Sequence, residues 1–161
     1  MLDQIINAMV LVGLVEEGSK FLFLKGRVFY NKRFTQPFDG IVHAVMIGMG
    51  FAVAENWLYV YHGEGGSLIV RMVTAVPAHA AFAVIMGYFV GEAKVFPTSA
   101  TLYSYMGLFF AAFAHGFYDY FLLISNSPAI WWQAIVALVV ILWMTFNAIK
   151  MQKEEEAANS N

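Results

Sequence analysis

Apolar runs of about twenty residues recur along this chain, and six ionisable side chains fall inside them. The runs lie near residues 2–24, 38–60, 70–91, 101–124 and 129–149, and a helix of roughly 20 residues is long enough to cross the hydrocarbon core of a bilayer. Lipid offers the backbone no hydrogen-bond partners, so runs of this length and spacing have to fold as helices that satisfy their own amides. Glu16, Glu17, Glu55, His79, His115 and Asp119 nevertheless sit within the runs. A charge at mid-membrane costs roughly 2.5 to 3.5 kcal/mol on insertion scales. These six are therefore expected to face one another, water or a substrate, and never lipid.

The expected fold is an all-α polytopic transmembrane bundle of about five spans. Composition agrees: 12% of the residues are charged and 60% are apolar, against roughly 25% charged in a soluble domain. Residues 1–150 read as one membrane domain and 151–161 as a short charged tail, expected to be disordered. The first run has neither a basic leader nor a small-residue cleavage site and carries Glu16 and Glu17, so it is expected to remain as the first span. The net charge of −2 comes largely from Glu154, Glu155 and Glu156 in the tail, so it says nothing about nucleic acid, and no nucleic-acid partner is expected. The chain has no cysteine, and that excludes disulfides, thiolate catalysis and cysteine metal sites.

Basic residues set the expected orientation. Lys25, Arg27, Lys32 and Arg33 follow span one, Lys94 follows span three, and Lys150 and Lys153 follow span five, while the opposite side holds only Arg71. The positive-inside rule then places the C-terminus in the cytoplasm and the N-terminus outside, in a multi-pass protein of the cell membrane. Turn signals separate the spans: Pro37 after Thr35 and Gln36, the group Gly63, Gly65, Gly66 and Ser67, and Ser125–Pro128. Asp39 reads as an acidic first-turn residue of span two. Trp131, Trp132, Tyr59 and Tyr61 read as interfacial belt residues.

Small residues four apart show which helix faces pack. Gly40, Ala44, Gly48 and Ala52 lead to Asn56; Ala75, His79, Ala83, Gly87 and Gly91 share a second register; Gly107, Ala111, His115 and Asp119 share a third. Residues at this spacing lie on one face, and small side chains let membrane helices approach closely. Polar groups carried in these stripes are thus aimed at other helices, and Glu55, two turns beyond Gly48, joins them. Glu16 and Glu17 are adjacent carboxylates with Lys20 one turn on, so Lys20 can pair with one and leave the other to act as a base. His115 and Asp119 stand one turn apart, where the carboxylate can orient the imidazole or both can bind one ion.

The residues also resemble a known pattern. Glu16-Glu17-Gly18-Ser19-Lys20 looks like an EExxK motif, Phe38 to Tyr59 (FDGIVHAVMIGMGFAVAENWLY) resembles a helix with an FxxxEN element, Pro77 to Ala80 (PAHA) matches a histidine motif, and His115 to Tyr120 (HGFYDY) matches HxxxD. In order and spacing these are similar to the motifs of the PrsW family of intramembrane proteases, over about Leu14 to Tyr120. Familiar members commonly carry additional N-terminal helices. The resemblance implies hydrolysis of peptide bonds in membrane-anchored proteins, anti-sigma factors among them, and the family is similar to CAAX prenyl proteases in which a glutamate activates water. By that resemblance Glu16 or Glu17 is the base, Glu17 or Glu55 assists, His79 and His115 hold the oxyanion, Asp119 positions His115, and Lys20 and Asn56 support.

Two kinds of chemistry stay open within this reading. A glutamate-type site needs no cofactor; a metalloprotease site would hold zinc on His79, His115 and a carboxylate from Glu55 or Asp119, with one position left for water. Outside the protease class, buried carboxylates and histidines also build proton-coupled transporters, and an inactive homologue would serve as a membrane scaffold. Five spans without an inverted repeat argue against transport.

Overall fold

The computed structural model describes residues 12–63, 68–124 and 131–159. The start of the first span, residues 64–67, residues 125–130 with the Ser125–Pro128 turn, and residues 160–161 lie outside the described residues, as do the side chains of Leu122, Leu123, Ile124, Trp131 and Asn159. Among the described residues the fold is entirely helical: α1 (Val15–Phe23) runs into a π-helical turn (Leu24–Val28), followed by α2 (Pro37–Tyr61), the short α3 (Leu68–Val73), α4 (Ala75–Val95), a 3-10 turn (Pro97–Ser99), α5 (Ala100–Ile124) and α6 (Trp131–Asn159). Three stretches of the described chain are long and apolar enough to cross a membrane: Pro37–Tyr61, Leu68–Val95 and Trp132–Ala158. The stretch expected as a fourth span is a 25-residue helix, α5, but it is not one of these three, its tyrosines, Ser104, His115 and Asp119 diluting its apolar character.

Local chemistry sets the helix ends. Pro37 occupies the first turn of α2, where a missing N–H costs nothing, and the Asp39 carboxylate accepts from the backbone N–H groups of Thr35 (2.8 Å) and Gln36 (2.9 Å). Gly63, at φ +86°, turns the chain out of α2 in a left-handed conformation that side chains resist. The span expected as one helix over 70–91 is interrupted at Thr74, whose backbone stands at φ −119°, ψ −62°. Pro77 explains the break: it lacks the N–H that would bond the carbonyl of Val73, and its ring crowds that carbonyl.

Helix α4 is central, packing most extensively on α2, then on α5, with α3 and α6 at its sides. The stripe foreseen on α2 is the one that packs, since Gly40, Ala44, Gly48, Ala52 and Asn56 are all buried. Opposite them His79, Ala83, Gly87 and Gly91 of α4 are buried too. The backbones almost touch. A Cβ on Gly87 would stand 2.6 Å from the carbonyl oxygen of Gly40 and 2.8 Å from the Ala44 Cβ, and one on Gly91 would collide with the carbonyl of Pro37. Leu22, Ile69 and Phe146 point outward, as a lipid-facing surface requires.

The charged tail departs from expectation. Residues 151–159 continue α6, because that last segment docks on the bundle. Gln152 is fully buried and donates to Glu92 at 3.1 Å, while Glu156 accepts from the Phe38 N–H at 2.7 Å, placing a carboxylate at the positive end of α2.

Close packing of α2 on α4 yields a prediction. Gly87→Ala inserts a methyl group between two backbones and should cost about 1 to 3 kcal/mol, read as a lowered midpoint of denaturant unfolding in detergent. Gly50→Ala, with nothing within 4 Å of the new Cβ, should be neutral or mildly stabilising, within about 1 kcal/mol.

Candidate functional site

Four helices bring the singled-out residues together. α1 supplies Glu16, Glu17 and Lys20, α2 supplies Glu55 and Asn56, α4 supplies His79 and α5 supplies His115 and Asp119. Pro77 starts α4 two residues before His79, and Gly48 of α2 passes beside the His79 carbonyl, where a Cβ would stand 3.1 Å from that oxygen. A histidine on the α4 stripe can therefore reach a carboxylate on the α2 stripe.

The polar groups form one continuous chain. The Lys20 ammonium donates to Glu17 Oε1 at 2.6 Å and to His79 Nδ1 at 2.9 Å, and it lies 4.5 Å from the centroid of the Phe51 ring. Glu17 Oε1 also accepts from His115 Nδ1 at 2.9 Å. His79 Nε2 meets Glu55 Oε2 at 2.8 Å. Glu55 Oε1 is paired with Arg71 Nη2 at 2.7 Å, and Arg71 Nε donates to Asn56 Oδ1 at 3.0 Å. At the other end His115 Nε2 lies 3.4 Å from Asp119 Oδ2 and 3.9 Å from Glu16 Oε2. The Phe82 ring stacks on His115 at 4.6 Å, fixing the plane of the imidazole.

Partner chemistry assigns the tautomers. An ammonium only donates, so His79 Nδ1 accepts and its proton rides on Nε2, directed at Glu55. A carboxylate only accepts, so His115 carries a proton on Nδ1, directed at Glu17. His115 Nε2 faces two carboxylates, Asp119 at 3.4 Å and Glu16 at 3.9 Å.

Burial divides the site into floor and mouth. Side chains of Glu17 and Lys20 are 0% and 3% exposed, packed over Leu24, Ala44, Ala83 and Met86. Glu16, Glu55, Asp119 and Arg71 are each 18 to 20% exposed and rim the open side. Glu17 thus lies on the floor and Glu16 at the mouth, since adjacent helical residues point about 100° apart.

Donor atoms of Glu16, His79 and His115 lie within 4.8 Å of one another, close enough to hold one metal ion. Glu16 Oε2 is buried without a hydrogen-bond partner, and two histidines with a glutamate is a known zinc donor set. The residues fit a metal. The carboxylate in this compact set is Glu16, where Glu55 or Asp119 was expected: Glu55 is turned to Arg71 and to the far nitrogen contact of His79. The orienting carboxylate on His115 is likewise Glu17 at Nδ1, with Asp119 at the opposite nitrogen.

Three participants, Arg71, Tyr59 and Phe82, were missed in the sequence. Arg71 was counted only as a basic residue on the sparsely charged side, although a lone arginine flanking an apolar run next to a buried glutamate was a usable signal. Tyr59, read as a belt residue, has the Arg71 guanidinium 3.7 Å from the centroid of its ring. Phe82 carried no signal, being one apolar residue among many.

Comparison with known proteins completes the description. A family model described as PrsW family intramembrane metalloprotease matches residues 1–147. A protein named Protease PrsW from Clostridioides difficile (strain 630) is 35% identical over 151 residues, covering 89% of this chain and 62% of that protein. Its namesakes from Shouchella clausii (strain KSM-K16) and Bacillus subtilis (strain 168) are 32% and 30% identical, covering 86% and 81% of this chain and 63% and 59% of theirs. The chain thus spans a little over three-fifths of the length of the first two relatives. No solved structure matches. A match through nearly the whole chain, with relatives at 30 to 35% identity, places this membrane protein in the PrsW family of intramembrane metalloproteases.

Proposed function

We propose that this chain is an endopeptidase that hydrolyses peptide bonds of membrane-anchored proteins, with anti-sigma-factor-type substrates as the class the family resemblance suggests. The observation that carries the reading is the convergence of Glu16, His79 and His115 within 4.8 Å, with the buried Glu16 Oε2 unpartnered. A divalent metal held there would polarise a scissile carbonyl and lower the pKa of a bound water. Glu17 would then act behind His115, holding its Nδ1–H and aiming Nε2 at the metal, as carboxylates behind ligating histidines do. Lys20 neutralises Glu17 on the floor, and Glu55 and Asp119 stand at the rim beside His79 and His115.

A second reading has its own support. Both ring nitrogens of His79 are engaged, by Lys20 and by Glu55, so a metal bond from His79 requires one of these to let go. In a metal-free site Glu16, partly exposed at the mouth with an unpartnered Oε2, would activate water directly, and His79 and His115 would stabilise the oxyanion once their N–H groups leave Glu55 and Glu17.

Two measurements on membranes and purified protein decide between these readings and the alternatives. New peptide termini near membrane-spanning segments should appear with wild type and vanish with the Glu16→Gln, Glu17→Gln double variant; identical profiles from folded, inserted proteins would refute the protease reading. Wild type should retain one zinc per chain, Glu16→Gln should lose it, and Glu17→Gln should weaken metal affinity about 10- to 100-fold. Full cleavage by metal-free protein would establish the glutamate scheme.

Arg71 should be felt through Glu55. Arg71→Gln is expected to lower cleavage about 10-fold or more, on the scale of other outer-shell partners, and Arg71→Lys less. In a Glu55→Gln background the Arg71→Gln loss should shrink, because the two residues share one ion pair; additive losses would remove the coupling.

The proposed orientation places the C-terminus in the cytoplasm. A C-terminal alkaline phosphatase fusion, active only outside the cytoplasm, should be silent while a fluorescent-protein fusion is bright; the reverse would invert the topology.

A further inference from the structure

At the end of the bundle away from Arg71, two lysines converge on one aromatic ring. Lys25 Nζ lies 3.2 Å from the centroid of the Phe29 ring and Lys94 Nζ 4.6 Å from it, with Lys94 also 5.1 Å from Phe34. Phe29 and Phe34 are buried, 8% and 2% exposed, and pack edge to face at 5.6 Å, so the platform is rigid. Both lysines are half-buried. Arg27, Lys32 and Arg33 stand exposed on the same loop.

Among the described residues no ion pair engages any of these five cations. The nearby carboxylates are committed elsewhere: Asp39 to the backbone of Thr35 and Gln36, Glu92 to Gln152, Glu156 to the Phe38 N–H. A lysine in a last helical turn offsets the helix dipole, which accounts for either position alone. It does not account for two ammonium groups sharing one ring without an anion. Burial, and after it the charge of Lys94, holds Lys25 below the usual lysine range; an anion seated beside both would favour their charged forms.

We propose that Lys25 and Lys94, seated on Phe29 and Phe34, bind the phosphate of an anionic phospholipid headgroup, with Arg27, Lys32 and Arg33 spread over the surrounding acidic bilayer surface. The location favours a lipid over a free ion. The pair sits where α1 ends and α4 ends, at the boundary of apolar helices, and basic pockets between membrane helices select such headgroups. Exposed Tyr30, 72% accessible, lies next to the platform and contacts Phe29 edge to face at 5.3 Å, giving an amphipathic ring at headgroup level. This inference is independent of the proposed peptidase activity.

The test is native mass spectrometry of the full chain in detergent, titrated with phosphatidylglycerol and phosphatidylcholine of identical acyl chains. Wild type should bind phosphatidylglycerol about 10- to 30-fold more tightly, the preference expected of two near-surface lysines. Lys25→Gln, Lys94→Gln should abolish the preference, and Lys25→Arg, Lys94→Arg should keep it. Lys150→Gln, Lys153→Gln removes the same charge from the C-terminal helix and should leave the preference intact. If the double glutamine variant does not fold, each single variant should lower the preference part-way. Equal binding of the two lipids by wild type, or an equal loss in the Lys150, Lys153 variant, would overturn the site. Displacement of phosphatidylglycerol by millimolar inorganic phosphate would reassign it to a free anion.

Discussion

Glu17 Oε1 accepts from Lys20 and from His115 at once, and that one buried oxygen joins α1 to α5 directly and to α4 through Lys20. Removing one partner of a buried ion pair costs about 3 to 5 kcal/mol, because the other is left uncompensated. In lipid the alternative is worse, since no water can enter to solvate the orphan. The pair therefore acts as a geometric constraint: any arrangement that separates α1 from α4 and α5 strands a lysine, a glutamate or a histidine. Its value lies in specifying one packing of the helices more than in net stability, which buried pairs seldom supply.

The constraint can be met only because the backbones on the neighbouring interface nearly touch. Residues Gly40, Gly48, Gly87 and Gly91 leave no space for a Cβ, and this close approach lets Glu55 on α2 reach His79 on α4 at 2.8 Å. Packing and chemistry are thus one design: the small-residue stripe sets the helix separation, and the helix separation sets the reach of the carboxylate. At the other end of the same interface Glu156 and Gln152 tie α6 to the starts and ends of these two helices.

Much of this was legible in the sequence because lipid removes ambiguity. Apolar length reported the helices, and the four-residue spacing of small residues reported the buried face of α2 residue by residue. Six ionisable residues in apolar surroundings had to meet, and they do. What was not legible depends on rotation and on local breaks. Adjacent Glu16 and Glu17 differ by about 100° around α1, which sequence alone does not resolve into floor and mouth. Thr74 breaks the third span because Pro77 follows by three residues, and that break carries Arg71 on α3 to Glu55. The tail was misread for a simple reason: its charges look solvated until Phe38 and Glu92 are seen to receive Glu156 and Gln152.

Charge balance narrows the chemistry further. Glu16, Glu17, Glu55 and Asp119 set four carboxylates against the two fixed cations Lys20 and Arg71, a deficit that one divalent ion would close. Protons can close it too, but not freely. His79 cannot take a second proton without turning an N–H toward the Lys20 ammonium, 2.9 Å away. His115 can take one, between Glu16 and Asp119. Of the site's carboxylates, Glu17 Oε2 on the floor and Glu16 Oε2 are buried without a hydrogen-bond partner, and Glu16 is the one at the mouth, where an incoming charge reaches it. Whether the compensating charge is a metal or a proton, it lands on the same carboxylate, so Glu16 is where the metal-dependent and metal-free schemes diverge and where both must begin.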